Sequence, residues 1–536
     1  MRADCLTLPA LLEHNGEQCG AKVAVVTHAG SLSHAQLDFK STDLARQLVG
    51  AGVGRSSRVG LLMENGIEWV VIATAIMRVG AILVPLSTLL KPPELRAQLD
   101  TAKVTELVVT RQFRGRSYLS DLEAIAPGVM QLTAADVRHV EVPNLRRVWV
   151  ADELPSHRVD EVIVAALGAR VRPADDLVIL FTSGSRSAPK GVIHTHGGAI
   201  RATAAGLVAR CIGPDERFYI PMPFFWTGGF SSGLMTVLVA GATLITEAIP
   251  EPELTLSLLE REKVTLFRGW PDQAARLASD PMFVNADLSH LGPGSLPAVL
   301  PPDERPAAGS RANLFGMTET FGPYCGERLD TDLPTDKHGS CGRPFEGVEV
   351  RIFETDSGVE CPAGVDGEIG VRGPNVMRAI CGRTRTETFD GDGFYHTGDL
   401  GKLDTDGYLW YGGRRDDMFK VKGATVYPSE VEEALRGVHG VRQAFVTNVS
   451  GLDGEQVGAF VITRLTPDAL DSAARASLSS FKVPSLWYVT DRMEEVPRLA
   501  SDKVSKTALQ DLIKQDGRRV GSGPATERPM EKGTTE

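Results

Sequence analysis

From about Leu32 to Gly241 the chain switches repeatedly between apolar stretches with helical and with strand character. Gly66 to Arg78 reads as a helix, Ala81 to Pro85 as a strand, Pro93 to Leu99 as a proline-started helix and Glu106 to Thr110 as the next strand. Such alternation predicts layered α/β structure with mostly parallel sheets. Asp176–Phe181 is a continuous apolar run, as expected of a strand buried on both faces, and it stops at a Ser/Gly-rich segment. Asp280–Arg311 is polar and rich in Gly and Pro, which predicts loops and short elements. Beyond Gly367 the pattern changes to short strands and tight turns at Asp390–Gly393 and Asp404–Gly407, a β-rich subdomain. A separate small α/β unit starts near Arg415, with a helix near Ser429–Arg436 and strands near Ala444–Thr447 and Ala459–Thr463. The expected division is a large domain over 1–413, a small C-terminal domain over 414–514, and a disordered tail over 515–536, where almost nothing is apolar.

Composition narrows the function classes. The net charge of −11 over 536 residues argues against binding nucleic acid by phosphate neutralisation. Seven scattered cysteines without a C-x-x-C pair fit reduced thiols in a cytoplasmic protein. The first residues lack the long apolar core of an export signal, and Val70–Leu86, interrupted by Arg78 and Gly80, falls short of a membrane span. No transmembrane segment is expected. His194 and His196, alternating along a strand, would put both rings on one face, but no further metal-ligating residues accompany them.

Thr182-Ser-Gly-Ser-Arg-Ser-Ala-Pro-Lys-Gly191 can present backbone N–H groups, hydroxyls and a lysine to phosphate oxygens. Pro189 and Gly191 break the Walker A pattern, so the loop does not belong to a P-loop NTPase. Taken with Phe315-Gly-Met-Thr-Glu-Thr320, Gly367-Glu-Ile-Gly-Val-Arg-Gly373, Tyr395-His-Thr-Gly-Asp399 and Gly413-Arg-Arg-Asp-Asp-Met-Phe-Lys-Val-Lys-Gly423, it resembles the AMP-forming adenylate-forming superfamily, which includes acyl-CoA synthetases. The resemblance runs from Leu32 to about Ile513.

It implies a fold, a reaction and roles. The fold is a large α/β domain carrying a β-rich subdomain, with a small mobile α/β lid. The reaction joins a carboxylic acid, fatty or otherwise apolar, to AMP with release of pyrophosphate, then passes the acyl group to coenzyme A. Lys190 and the groups of Thr182, Ser183, Gly184 and Ser185 would cradle phosphates, Glu319 would hold Mg²⁺, and Thr318 would touch the α-phosphate. Phe315 and Gly316 would face adenine, while Asp399 and Arg414 would hold the ribose. Lys503 matches the adenylation lysine, Asp416 the hinge, and Lys420 and Gly423 the face used for thioester formation.

The acyl pocket would be walled by Phe225, Trp226, Gly228 and Met317. No carboxylate lies between Ile220 and Leu234 to hold an ammonium group, which disfavours an amino-acid substrate. Arg186 and Ser187 replace the usual Thr-Gly of the phosphate loop, Asp502 replaces the glycine before Lys503, and the segment from Leu291 to Phe315 is short for the family. Two alternatives stay open: loading of a carrier-protein thiol in place of coenzyme A, and a non-catalytic nucleotide- or acyl-binding relative. The expected partners are the acid, ATP and coenzyme A; a homodimer is an open assembly state.

Overall fold

The computed structural model describes residues 5–132, 139–182, 190–417, 419–421, 424–451, 454–478, 482–499 and 504–520. Two sheets form the body. In the seven-stranded sheet, Ile82–Leu86, Arg58–Leu62, Glu106–Val109, Arg147–Val150 and Asp176–Thr182 run parallel, and Lys190–Thr195 and Ala379–Ile380 are added antiparallel at one edge. In the five-stranded sheet, Leu266–Phe267, Arg217–Tyr219, Thr243–Ile245 and Val23–Thr27 are parallel, and Gly30–Ser33 returns antiparallel. Every residue of Ile82–Leu86 is buried, so this strand is apolar on both faces, as covered parallel sheets require.

Local signals start the helices. Ser33 and Gln36 form a reciprocal capping box on His34–Gly50. Proline opens Pro92–Thr101, Pro252–Arg261, Pro271–Ala278 and Pro428–Arg436, where its missing N–H costs nothing. The helix Ile67–Arg78 is buried almost all round, and its Trp69 ring meets Phe224 and Phe230 between the layers. As the sequence predicts, 280–311 contains only short 3₁₀ turns and loops.

The β-rich subdomain is a four-stranded antiparallel sheet of Glu349–Phe353, Gly367–Arg372, Tyr395–Leu403 and Leu409–Arg414. Beyond it, Val441–Gly451, Gly454–Thr463, Leu486–Thr490 and Arg518–Arg519 make a second four-stranded sheet. The helices Pro428–Arg436, Pro467–Ser477 and Lys506–Asp516 accompany this sheet. Two strands are much longer than their apolar runs suggest, because the hairpin pairs from Val441 to Thr463 through polar residues such as Asn448 and Glu455. The sequence starts the tail at 515, yet ordered structure continues through the pairing of Arg518 with Trp487. A basic dipeptide carries no apolar signal of its own, and register with the neighbouring strand makes it a strand.

Candidate active site

Thr182 and Lys190, which bracket the phosphate-loop candidate, are paired strand residues. Asp176–Thr182 and Lys190–Thr195 pair antiparallel with Thr182 opposite Lys190, so hydroxyl and ammonium side chains flank the mouth of the loop. Ser183, Gly184 and Ser185, with Arg186 and Ser187, lie outside the described residues.

Phe315–Met317 pairs antiparallel with Gly322–Gly326 around a 3₁₀ turn at Thr318–Thr320. A Cβ on Gly316 would come within 2.2 Å of the Gly322 carbonyl oxygen, so the strands can approach this closely only with glycine there. The Thr320 hydroxyl closes the turn, accepting from the Met317 N–H (3.2 Å) and donating to the Gly322 carbonyl (2.7 Å). His194 Nε2 donates to the Thr318 carbonyl at 2.7 Å. Burial lowers the His194 pKa to about 4, so at neutral pH the ring is uncharged and holds the turn as a neutral donor. His196 does not share a face with it: it opens the helix His196–Ala205, and its Nδ1 accepts from the Leu8 N–H at 3.1 Å. Thr195, the N-cap of that helix, ends the strand and breaks the alternation on which the shared-face expectation rests.

Glu319 is buried, with Oε1 accepting from the Tyr395 hydroxyl at 3.2 Å. Burial, then the neighbouring carboxylate, raises the Tyr395 pKa, so the phenol remains a proton-bearing donor. Tyr395 begins the strand that carries Asp399. Asp399 lies opposite Arg414 in the next strand, and their ion pair is 2.9 Å long. Burial raises the Asp399 carboxyl and the Arg414 guanidinium opposes that shift. The Phe315 ring lies 4.9 Å from Tyr411 and 5.6 Å from Tyr324, an aromatic cluster beside Asp399. Met317 packs towards Val192, Met377 and Tyr395.

A second wall comes from the segment after Tyr219. Buried Asn65 pins it: the side chain accepts from the Phe224 N–H (2.8 Å) and donates to the Met222 carbonyl (3.0 Å). Trp226 meets Phe225 edge-on at 5.1 Å and Trp270 at 5.9 Å. At Gly229 a Cβ would meet the Pro223 carbonyl oxygen at 2.2 Å, which lets the chain fold back tightly into a helical turn. That turn widens to π-helical geometry over Phe230–Met235, a local expansion that frequently marks functional sites. The two walls meet where the Thr227 hydroxyl donates to Thr318 Oγ1 at 2.9 Å.

At the start of the small unit, Arg415 pairs with buried Glu368 (2.9 Å) and Lys506 with Asp417 (2.6 Å). The backbone of Asp416 and Lys420 is described but not their side chains; Gly423, Asp502 and Lys503 lie outside the described residues. Asn65, Thr227, Trp270, His194 and Tyr411 join the site as structural partners that sequence reasoning did not select. Only Thr227 and His194 stood inside segments that had drawn notice.

Among the described residues no cluster of three or more His, Cys, Asp and Glu side chains is arranged to hold a metal ion. A lone buried carboxylate at Glu319 nonetheless fits Mg²⁺, which usually takes one or two protein carboxylates and fills its octahedron with water and substrate phosphates. No helix among these residues is long and apolar enough to cross a membrane.

A family model described as "AMP-binding enzyme" matches residues 12–380. A (methyl-dioxo-octahydroindenyl)propanoyl:CoA ligase of Mycobacterium tuberculosis is 32% identical over 95% of this chain and 99% of its own. A feruloyl-CoA synthase from an Amycolatopsis species is 31% identical over 90% of this chain and 94% of its own. Among solved structures, ATP-bound MatB from Rhodopseudomonas palustris superposes with a TM-score of 0.76 at 26% identity, covering 95% of this chain and 99% of that one.

Proposed function

The chain belongs to the AMP-binding enzyme family, and from that membership we propose that it activates an apolar carboxylic acid as acyl-AMP and transfers the acyl group to coenzyme A. In the first step a carboxylate oxygen attacks the α-phosphorus of ATP, the bond from that phosphorus to the bridging oxygen breaks, and pyrophosphate leaves. In the second, the coenzyme A sulfur attacks the acyl carbonyl after losing its proton to solvent, and the carbon–oxygen bond to AMP breaks. The relatives named for ring-bearing acids favour such an acid over a straight-chain fatty acid.

The observation that carries this reading is the junction at Thr318–Glu319. Thr318 is hydrogen-bonded to Thr227 of the aromatic segment, and Glu319 to Tyr395 of the strand bearing Asp399. One turn therefore joins a candidate acyl wall to a candidate nucleotide wall. In this reading the Thr318 hydroxyl touches an α-phosphate oxygen, and the His194 bond to the Thr318 carbonyl steadies its backbone. Asp399 supplies carboxylate lone pairs to ribose hydroxyls, with the Arg414 guanidinium opposing the effect of burial on its charge and holding it in place. Lys190 and Thr182 face the phosphates from the hairpin, and Lys503 brings a cation to the reacting oxygens. Mg²⁺ held through Glu319 would lower the negative charge on the phosphate oxygens that the carboxylate must approach. Phe225, Trp226 and Trp270 exclude water from the acyl side.

We assign 1–413 to the large domain and the chain from 414 through the strand Arg518–Arg519 to the small one, with Asp416 near its start as the hinge. The sheet ends at Arg414, and a single short turn, Arg415–Asp417, connects it to the next strand.

The test is carboxylate-dependent pyrophosphate release over fatty, aryl and polycyclic acids, repeated with Lys503→Ala. Release with at least one acid, reduced ~10²- to 10³-fold in the variant, is expected. Silence across the panel overturns the function, and equal release by both proteins removes Lys503 from it. Acyl transfer to a carrier-protein thiol but not to coenzyme A would replace the acceptor.

A further inference from the structure

Two deep-set arginines, Arg210 and Arg268, stand behind the acyl wall. Arg268 continues the edge strand Leu266–Phe267, and its N–H donates to the Tyr219 carbonyl at 2.9 Å. Successive side chains along a strand face opposite ways. Phe267 packs with Tyr219 on one face, whereas Leu266 belongs to the core on the other face, with Ile220, Phe224 and Phe230. Arg268 shares the Leu266 face: a Cβ on Gly294 would meet Leu266 Cδ1 at 3.0 Å and Arg268 Nη2 at 3.4 Å. The guanidinium is therefore on the side where Phe224 and Phe230 bracket the wall of Phe225, Trp226 and Thr227.

Hydrogen bonds tie the pair to that wall. Arg268 Nη2 donates to the Arg210 carbonyl at 3.1 Å, and Arg210 Nη1 donates to the Thr236 hydroxyl at 2.8 Å. Thr236 in turn donates to the Ser231 carbonyl of the π-helical turn at 2.9 Å, and the Ser231 hydroxyl donates to the carbonyl of Phe321, directly after the Thr318–Thr320 turn. Along the chain, Arg268 stands two residues before Trp270, whose ring meets Trp226.

The charges are unbalanced. Arg210 is buried and spends its donors on neutral groups: the Gly206 carbonyl (3.2 Å), the Thr236 hydroxyl and the Thr203 carbonyl (3.2 Å). Arg268 Nη2 is likewise spent on a carbonyl, while Nε and Nη1 donate to nothing among the described residues and are not sealed from solvent. Asp330, the carboxylate that acts on the neighbouring Cys211 thiol, is already paired with Arg328 (3.0 Å). Burial lowers both guanidiniums to about 10, and the Arg268 charge adds to the shift of Arg210, so both are cations at pH 7. Cations set this deep without a partner carry a desolvation cost that an anion would offset. The open donors belong to Arg268, and the planar fork of a guanidinium matches a carboxylate.

We propose that Arg268 is the specificity-determining residue at the far end of the acyl pocket, where it binds a second carboxylate carried opposite the reacting one on an apolar skeleton. The inference rests on the ligase reading above and names its substrate class.

The experiment compares kcat/KM for pyrophosphate release between matched mono- and dicarboxylic acids. The pairs are phenylpropanoate and para-carboxyphenylpropanoate, the same pair on a naphthalene, and linear acids with α,ω-diacids of equal length, so that reach is varied. The diacid should exceed its monoacid by roughly 10- to 100-fold on at least one skeleton, the ratio of a charge-assisted contact made or left unmade. Arg268→Met, which keeps the bulk, should bring that ratio to within about threefold of unity by slowing the diacid and sparing the monoacid. Arg268→Lys, which keeps the charge without the fork, should retain part of the preference. Equal rates within every pair, or a diacid preference that survives Arg268→Met, would overturn the proposal. So would saturable stimulation of monoacid turnover by sulfate or phosphate that Arg268→Met abolishes, because the charge would then belong to a free anion. Calorimetric titration of the same acids beside a non-hydrolysable ATP analogue separates the two readings. Diacid-selective binding that Arg268→Met removes, without pyrophosphate release, keeps the subsite and removes the ligase chemistry. Pyrophosphate release without diacid preference does the reverse.

Discussion

The wall around Thr318, Glu319 and Asp399 is held by directional bonds: His194 to a carbonyl, Tyr395 to a carboxylate, Arg414 to Asp399. The wall around Phe225, Trp226 and Trp270 is held by ring edges, with Asn65 and tight glycine turns fixing the backbone behind them. The contrast follows from what each is proposed to recognise. A nucleotide presents the same charges and hydroxyls in every turnover, so its partners need fixed geometry. An apolar acid presents area, which is gained by contact and tolerates changes in shape. Substitutions in the first wall should therefore cost rate or nucleotide affinity steeply, and those in the second should redistribute acid preference.

The largest effect is expected at Asp399. Asp399→Ala removes the candidate ribose acceptor and the Asp399–Arg414 ion pair. Loss of charge-assisted hydrogen bonds of ~1.5–3 kcal/mol each predicts a fall of ~10²- to 10³-fold in kcat/KM for ATP. The acid KM should move far less. Steady-state kinetics varying each substrate in turn would show this, and a loss shared equally between ATP and acid would erase the distinction between the walls.

A pH experiment probes the same wall through stability. His194 is buried, touches the Phe321 ring (4.9 Å between centroids) and bonds the Thr318 carbonyl, and burial lowers its pKa to about 4. Its ordinary value is about 6.5, so between those two values the unfolded chain binds the proton and the folded chain does not. The stabilisation is whole above pH 6.5 and is lost as the pH falls through about 4. From pH 7 to 5 the loss attributable to this ring should be on the order of 1–2 kcal/mol. Denaturant midpoints of wild type and His194→Gln across that window would reveal it, since glutamine can donate to the same carbonyl without titrating; parallel pH curves would refute it.

How much of this could be read from the chain alone differs between the walls for the same reason. Thr318, Glu319, Asp399 and Arg414 sit in short runs whose residue types are tied to one chemistry, and the structure gathers three of those runs around one turn. Trp270 and Asn65 carry no such signal: an aromatic residue before a proline and an asparagine after a strand are ordinary. They matter only because the five-stranded sheet and the helix Ile67–Arg78 bring them to the segment 221–229. His194 illustrates the limit of periodicity. Alternation placed it beside His196, but the strand ends at Thr195 and the two rings serve different partners. The parallel sheets were legible because continuous burial leaves long apolar runs. The extended hairpin of the small unit was not, because its polar residues become strand only through pairing.

On the acyl side, Trp226→Ala removes an aromatic contact to Phe225 and Trp270 and enlarges the pocket. Such a change should alter the order of preferred acids and shift individual acid KM values by ~10-fold, the size of an aromatic contact together with part of its buried area, with the ATP KM unchanged. Pyrophosphate-release profiles over the acid panel would report the reordering. An unchanged order, with every acid slowed alike, would mean that Trp226 supports the backbone rather than the substrate.

The smallest effect is expected at the seam. Thr227→Val keeps the shape of the side chain and removes the hydroxyl that donates to Thr318 Oγ1 at 2.9 Å. A hydrogen bond of this kind contributes a net ~0.5–1.5 kcal/mol, so the loss in kcat/KM should be about 3- to 10-fold. Its value lies in how that loss is distributed. Thr227 belongs by sequence to the aromatic wall, yet it acts through a residue of the other, so the deficit should fall on kcat with every acid in equal proportion and leave acid preference intact. Thr227→Ser, which restores the donor but not the methyl group, should recover most of the rate. Were valine to change acid preference as Trp226→Ala does, Thr227 would belong to the acyl lining, and the joint between the two walls would have to be sought elsewhere along the Thr318–Thr320 turn.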